Sequence, residues 1–305
     1  MIGRHQRLAV LSILLLLVLN GAARADVFHF GCPKIPFPVA TQSRAIDGSC
    51  GIQGDQINGP KALQNSLKND LCRSGQLTTL TQNDFVALQA EVGKRGIKFG
   101  HRDSPQGRDE SFPDNRASLA NLINVNGRPL GEGAYVQFVA YMDEPHYAEP
   151  DSGESVNCKL HGNPMADIHI NLVQQPAPKM PRPGDPNHDA LMAERGRALC
   201  HAVVGEIIPH YRPSQWEVPQ LQAVAGQQIP IRIAGQLFFD ASHFPCDGDN
   251  AHPDESLKRA SLWEIHPVYS IDVCRDQTGQ ACRADDGSAW IPLAQWRPTN
   301  PPRRR

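Results

Sequence analysis

Ile229-Pro230-Ile231-Arg232-Ile233-Ala234-Gly235-Gln236-Leu237-Phe238-Phe239-Asp240 and Arg259-Ala260-Ser261-Leu262-Trp263-Glu264-Ile265-His266-Pro267-Val268 decide the fold. Both stretches are rich in β-branched and aromatic residues and are bounded by Pro, Gly and Asp, which is how strands read in sequence. They are expected to be neighbours, the second running on to Cys274. Working backwards, the turn Leu130-Gly131-Glu132-Gly133 opens a strand over Ala134 to Met142. Ser155 to Leu160 is predicted as a second strand. Ala166 to Val173 is a third, with Ile168, Ile170 and Leu172 alternating against Asp167, His169 and Asn171. Another strand is predicted over Leu199 to Pro209. Helices are predicted over Ala190 to Arg197 and Pro213 to Val224.

Six strands with a short helix before the last two predict a small Greek-key, OB-like barrel in a mainly β chain, α+β overall. A β-sandwich is the alternative. This β region spans residues 128–296 and is interrupted at 174–187 by a Pro-rich excursion, with Pro176, Pro178, Pro181, Pro183 and Pro186. Residues 26–127 read as a helical and irregular N-terminal region. There, Leu63, Leu67 and Leu71 form one stripe on a helix over Pro60 to Cys72 that is expected to cover a core. A second helix over Asn83 to Gly96 has Thr81 as cap and Phe85, Leu88 and Val92 on one face. Residues 98–115 read as an exposed loop, and Asn115 to Asn124 as a short helix. Residues 297–305 hold nothing to bury and read as a disordered tail.

The first residues address the chain to an oxidising compartment. Arg4 and Arg7 precede an apolar run over Leu8 to Leu19, and Ala23-Arg24-Ala25 supplies an A-x-A cleavage site. Residues 1–25 are therefore expected to be a signal peptide cut after Ala25, giving a secreted or periplasmic protein with no transmembrane segment. All eight cysteines lie beyond that point, and an even count there predicts disulfides, up to four. No C-x-x-C pair points to zinc instead, and the spacing does not choose a connectivity. A net charge of −2 gives no electrostatic reason to expect nucleic acid, and aromatics are only 6 % of the chain. With 26 Pro and 25 Gly, the composition suits a loop-rich β protein.

Four polar pairs carry the only hint of chemistry: Asp167 with His169, His201 near Glu206, Asp240 near His243, and Glu264 with His266. Alternation puts Asp167 and His169 on one face of their strand, and Glu264 and His266 on one face of theirs. Two such strands side by side would gather imidazoles and carboxylates at metal-binding or acid–base distance, so a divalent metal is admitted as a cofactor. Asp240, His243, Glu264 and His266 are the catalytic candidates. Asp167, His169, Glu206 and Arg259 are the ligand-binding candidates. Against this stands the ordinary role of such residues, hydrogen bonding across a sheet. His266 in particular is expected to be a buried structural partner of Glu264, and Trp263 a core residue. No nucleophile elbow, Walker loop, dinucleotide fingerprint or zinc-protease helix occurs.

Gly235-Gln236-Leu237-Phe238-Phe239-Asp240-x-x-His243 followed by Arg259-x-Ser261-Leu262-Trp263-Glu264-Ile265-His266-Pro267-Val268 resembles a pattern in a group of secreted bacterial proteins of uncharacterised function. Gly131-Glu132-Gly133, Val156-Asn157-Cys158 and Asp167-Ile168-His169-Ile170 fit the same pattern. The resemblance implies secretion and a shared β domain over residues 128–275, and it transfers no catalytic residue. The expected function is thus a secreted or periplasmic binding or interaction domain, possible as an envelope component. A hydrolase, metal-dependent or not, is the alternative.

Overall fold

The two deciding stretches pair antiparallel, from Ile231 opposite Val273 to Phe239 opposite Trp263, as strands Pro230–Phe239 and Trp263–Cys274. The structure, a computed structural model, describes residues 44–56, 58–72, 76–100, 112–113, 115–149, 154–253, 258–276 and 282–298. In chain order the elements are α1 (Gly59–Lys68), β1 (Thr78–Leu80), α2 (Gln82–Lys94), β2 (Ile123–Val125), β3 (Arg128–Leu130), β4 (Tyr135–Tyr147) and β5 (Ile168–Val173). They continue with α3 (His188–Leu199), β6 (Val203–Ile207), α4 (Val218–Gly226), β7 (Pro230–Phe239), β8 (Trp263–Cys274) and β9 (Trp290–Pro292). The predicted signal peptide, the loop core at 101–111 and residues 299–305 of the predicted tail lie outside the described residues.

Five strands close on themselves. The order is β4-β5-β6-β8-β7 and back to β4, with β6 and β8 parallel and every other barrel pair antiparallel. β4 closes the ring because it is long. Its first half pairs with β7 and its second half, past an irregularity between Asp143 and His146, pairs with β5. A closed five-stranded barrel with a helix between its third and fourth strands is consistent with an OB-like barrel and removes the sandwich alternative. The predicted strand at Ser155 to Leu160 is not one. Ser155–Asn157 is a single 3-10 turn, after which Cys158 and Lys159 take left-handed backbone. With that strand gone, β6 is the third barrel strand, and α4 falls in the place an OB-like order requires.

Alternation fills the barrel as predicted. Val136, Phe138, Ala140 and Met142 from β4, Ile168, Ile170 and Leu172 from β5, Ile231 and Ile233 from β7, and Trp263 and Ile265 from β8 share one buried cluster. Phe85, Leu88 and Val92 of α2 join it, Phe85 standing edge-on to Phe138 at 5.4 Å between ring centres. The predicted short helix at 115–124 is instead a 3-10 turn at Arg116–Leu119 running into the β2–β3 hairpin. β1 and β9 extend the sheet as three-residue strands too short to carry a period.

α1 corrects the sequence reading most sharply. Its expected leucine stripe does not face the core as a unit: Leu71, past the helix end, is buried in the core, but Leu63 is 43 % exposed, while Gln64, Asn65 and Lys68 are buried. The surface this helix covers is itself polar, so the helix turns its amides and its lysine inward. Disulfides hold these layers together. Cys50–Cys158 ties the segment before α1 to the β4–β5 loop, Cys200–Cys246 ties the end of α3 to the β7–β8 loop, and Cys274–Cys282 closes a small loop after β8. No cysteine among the described residues is free. No helix among them is long and apolar enough to cross a membrane. Both facts are compatible with an extracellular or periplasmic protein.

Gly54 marks how tightly the first of these loops docks. It has φ +62, and a Cβ there would meet Ser155 O at 2.1 Å and Val156 Cα at 2.8 Å. The neighbouring Asp55 N donates to that same Ser155 O at 2.8 Å. Backbone atoms cannot give way as a flexible side chain does. Gly54→Ala is therefore expected to destabilise by about 1–3 kcal/mol, the usual cost of overpacking, as read from denaturant midpoints. A variant as stable as the parent would show that the loop docks more loosely.

Candidate functional site

Alternation sends Trp263 and Ile265 into the barrel and Glu264 and His266 out of it, yet Glu264 and His266 have no exposed surface. The outward face of β5, β6 and β8 is buried a second time, under α1, the Glu154–Asn157 turn and the β7–β8 loop. Charged groups with no route to water must find partners within that layer. β5 and β8 are not adjacent, as the expected two-strand arrangement would need. β6 runs between them and adds Glu206, which stands opposite His169 on β5.

Most of the layer is paired one to one. Lys68 Nζ of α1 lies 2.8 Å from Asp240 Oδ2 at the end of β7, and Arg259 bonds Glu264. His266 Nδ1 lies 2.9 Å from Glu206 Oε2 and 3.5 Å from Glu264 Oε2. Gln64 stitches the edge, donating to Asp240 Oδ1 at 3.2 Å and to Ser242 Oγ at 3.0 Å while accepting from Arg116 Nη1 at 3.1 Å. Arg116 in turn is forked onto Glu132 and donates to Phe239 O at 2.6 Å. Phe238 gives this layer an apolar floor, its ring 5.4 Å from that of His266 and 5.2 Å from the Arg116 guanidinium.

The titration of these groups follows from burial set against partners. Burial alone would drive Asp240 up, but Lys68 and then His243 hold it well below the ordinary carboxylate range. Burial would likewise raise Glu206, and His169, His266 and Lys68 together hold it well below instead. Glu264 goes the other way, raised by burial and by Glu206 against the pull of Arg259 and His266. Burial works against the charge on His266, yet Glu206 and Glu264 lift it to about 10, so it is an imidazolium at neutral pH. Lys68 is raised well above its usual value against its own burial, chiefly by Asp240.

Asp167 is the exception. It is fully buried just before β5, and neither carboxylate oxygen has a hydrogen-bond partner. Burial, then the nearby Glu154, push its carboxyl up to about 7. Three overlapping sets of side chains bring donor atoms within 4.8 Å of one another: Glu154 with Asp167 and His169, Asp167 with Glu206 and His266, and Glu206 with Asp240 and Glu264.

The candidates named from sequence therefore converge. Asp167, His169, Glu206, Asp240, Arg259, Glu264 and His266 belong to one layer, and His243 Nε2 joins its edge 3.7 Å from Asp240 Oδ2. The expected His201–Glu206 pair does not form; His201 Nε2 meets Asp249 Oδ1 at 2.7 Å on the surface. His266 pairs with Glu206 more closely than with the expected Glu264. Lys68, Gln64, Arg116, Glu132 and Glu154 were missed, because nothing in their local sequence announces a site.

Convergence does not make an open pocket. Beside the layer lies a cleft of about 290 Å³, and of the candidates only His169 and Arg259 line it. The rest of its wall comes from the end of β4 (Glu144, His146), from β5 and β6 (Asn171, Val204), from α3 (Met192, Arg195, Leu199), and from Met180 and Lys258. Its cations are mostly spent: Arg195 is paired with Asp143 and Glu144, and Arg259 with Glu264. Lys258 forms no ion pair with a described carboxylate, and its aliphatic end lies over Gly196 of α3. No family model, no curated protein and no solved structure matches this chain.

Proposed function

We propose that the protein is a secreted or periplasmic binding module, an OB-like Greek-key barrel that takes a small ligand with an anionic group and an apolar body. The position of the cleft carries this reading. It lies on the outer face of β5 and β6, the second and third barrel strands, beside the end of β4, with α3 on one side and Lys258 and Arg259 of the β7–β8 loop at its edge. OB-folds bind their ligands on the face of their second and third strands, and the loop joining the last two strands is one that they use. Lys258, which pairs with no described carboxylate, offers an ammonium for the anion. Met180, Met192, Leu199 and Val204 offer apolar surface, and Asn171 and His146 offer polar contacts. Met180 is 54 % exposed and Met192 39 %, so both side chains are open to a ligand in the cleft. Hydrolysis is less well supported, because Asp240, Glu264 and His266 are each fully buried and paired within the layer rather than presented to the cleft.

The test is titration with short-chain alkyl and aryl carboxylates, followed by calorimetry, with the matching alcohols as uncharged controls. Saturable binding of a carboxylate, weakened at least about tenfold in Lys258→Ala, is expected from loss of a charge-assisted contact. Equal binding of acid and alcohol, or no effect of Lys258→Ala, would refute it.

A further inference from the structure

The geometry points to a divalent transition-metal site, of the Zn²⁺ or Mn²⁺ type, built where the buried layer meets the cleft by Glu154, Asp167 and His169, with Glu206 as the next carboxylate beside His169. His169 Nε2 lies 3.7 Å from Glu154 Oε1 and 3.5 Å from Glu206 Oε1. Those separations are too long for good hydrogen bonds. They are close to the spacing of about 3.4 Å between donors around one tetrahedral ion with bonds of about 2.0–2.1 Å. His169 Nε2 is itself buried and has no hydrogen-bond partner.

Asp167 is the independent indication. Its side chain is fully buried and both oxygens lack partners, yet one of them stands within 4.8 Å of the donor atoms of Glu154 and His169. A buried carboxylate without partners costs several kcal/mol, and every other fully buried carboxylate of this layer has a cation of its own. An ion held between these donors would be the missing partner. One imidazole with three carboxylates suits Zn²⁺ or Mn²⁺ better than Cu⁺, which favours sulfur.

The supporting shell is in place. Glu206 offers Oε1 to the site while its Oε2 is held by His266, the kind of outer contact that orients a metal ligand. Glu154 sits in the turn anchored by Cys50–Cys158. Access is available too, since the His169 and Glu154 side chains keep 17 % and 29 % of their surface exposed. His169 is shared with the cleft wall, but the ion needs neither Lys258 nor the proposed cleft ligand.

The experiment strips the full mature chain with a chelator and titrates it with Zn²⁺ and, separately, Mn²⁺. Calorimetry gives stoichiometry, and thermal unfolding gives stabilisation. One ion per chain and a rise in melting temperature are expected. Asp167→Asn, which keeps the side-chain shape, and His169→Ala, at a partly exposed strand position, should each weaken binding at least about tenfold. Lys258→Ala should leave it unchanged, which separates this site from the cleft. No saturable binding of either metal would overturn the site. So would wild-type affinity in both variants, which would place the ion elsewhere, for example at the exposed His201–Asp249 pair.

Discussion

Lys68→Met is expected to cost about 3–5 kcal/mol, because it leaves Asp240 as a buried carboxylate without its cation. Lys68 is the only charge that α1 inserts into the layer, and its ammonium lies 2.8 Å from Asp240 Oδ2 and 5.8 Å from the centre of the Phe238 ring. What remains around Asp240 is Gln64 Nε2, Ser242 N at 2.8 Å, a distant His243 and the more remote Arg259, whose charge is already spent on Glu264. The penalty should come from the orphaned charge, not from the lost lysine stem, so Lys68→Met with Asp240→Asn should recover a large part of it. The pH dependence separates the two causes. In the wild type Asp240 titrates well below its unfolded value, so its contribution is present above about pH 4 and lost as pH falls through the folded value. In Lys68→Met the carboxyl is free to take up a proton, so the deficit measured at pH 7 should shrink on acidification toward pH 4. A deficit that stays constant with pH, or a double variant no better than the single, would mean that α1 is held by packing alone.

How much of this was legible in the sequence depended on whether a residue's partners lie on the same element. The strands around Leu237 and Ile265 were readable because period-two alternation and β-branching are local properties, and the observed β7 and β8 lie within the expected bounds. Trp263 in the core and Glu264 and His266 on the opposite face follow from the same period. The layer above that face was not readable. Gln64 and Asp240 are 176 positions apart, and the helix carrying Gln64 and Lys68 advertises a leucine stripe whose first member, Leu63, is exposed. Only the polarity of the covered surface, a tertiary fact, explains why a lysine face is the buried one. Glu154 was hidden for a different reason. Ser155, Val156 and Asn157 look like the start of a strand, whereas the left-handed backbone at Cys158 and Lys159 turns the chain and the disulfide fixes it there. The cleft is assembled from β4, β5, β6, α3 and the β7–β8 loop, so no single stretch records it.

His266→Ala should be the second severe substitution, again about 3–5 kcal/mol. The His266 imidazolium stands between two buried carboxylates, 2.9 Å from Glu206 and 3.5 Å from Glu264, and removing it sets those two carboxylates against each other. Arg259 still neutralises Glu264. Glu206 keeps His169 and the more distant charge of Lys68, and loses the partner on its Oε2. The ring also packs edge-on against Phe238 at 5.4 Å between centres, so alanine leaves a cavity in the floor of the layer. Charge and packing are separable by a cycle. Glu206→Gln alone should cost less than His266→Ala, because an amide carries no charge to strand. In a Glu206→Gln background the further loss on His266→Ala should fall to the packing part, about 1–3 kcal/mol. Urea midpoints of the four proteins decide it. Additive losses would show that His266 acts as a space-filler, and a His266→Ala variant as stable as the parent would remove the ion layer from the list of things that hold the N-terminal helix on the barrel.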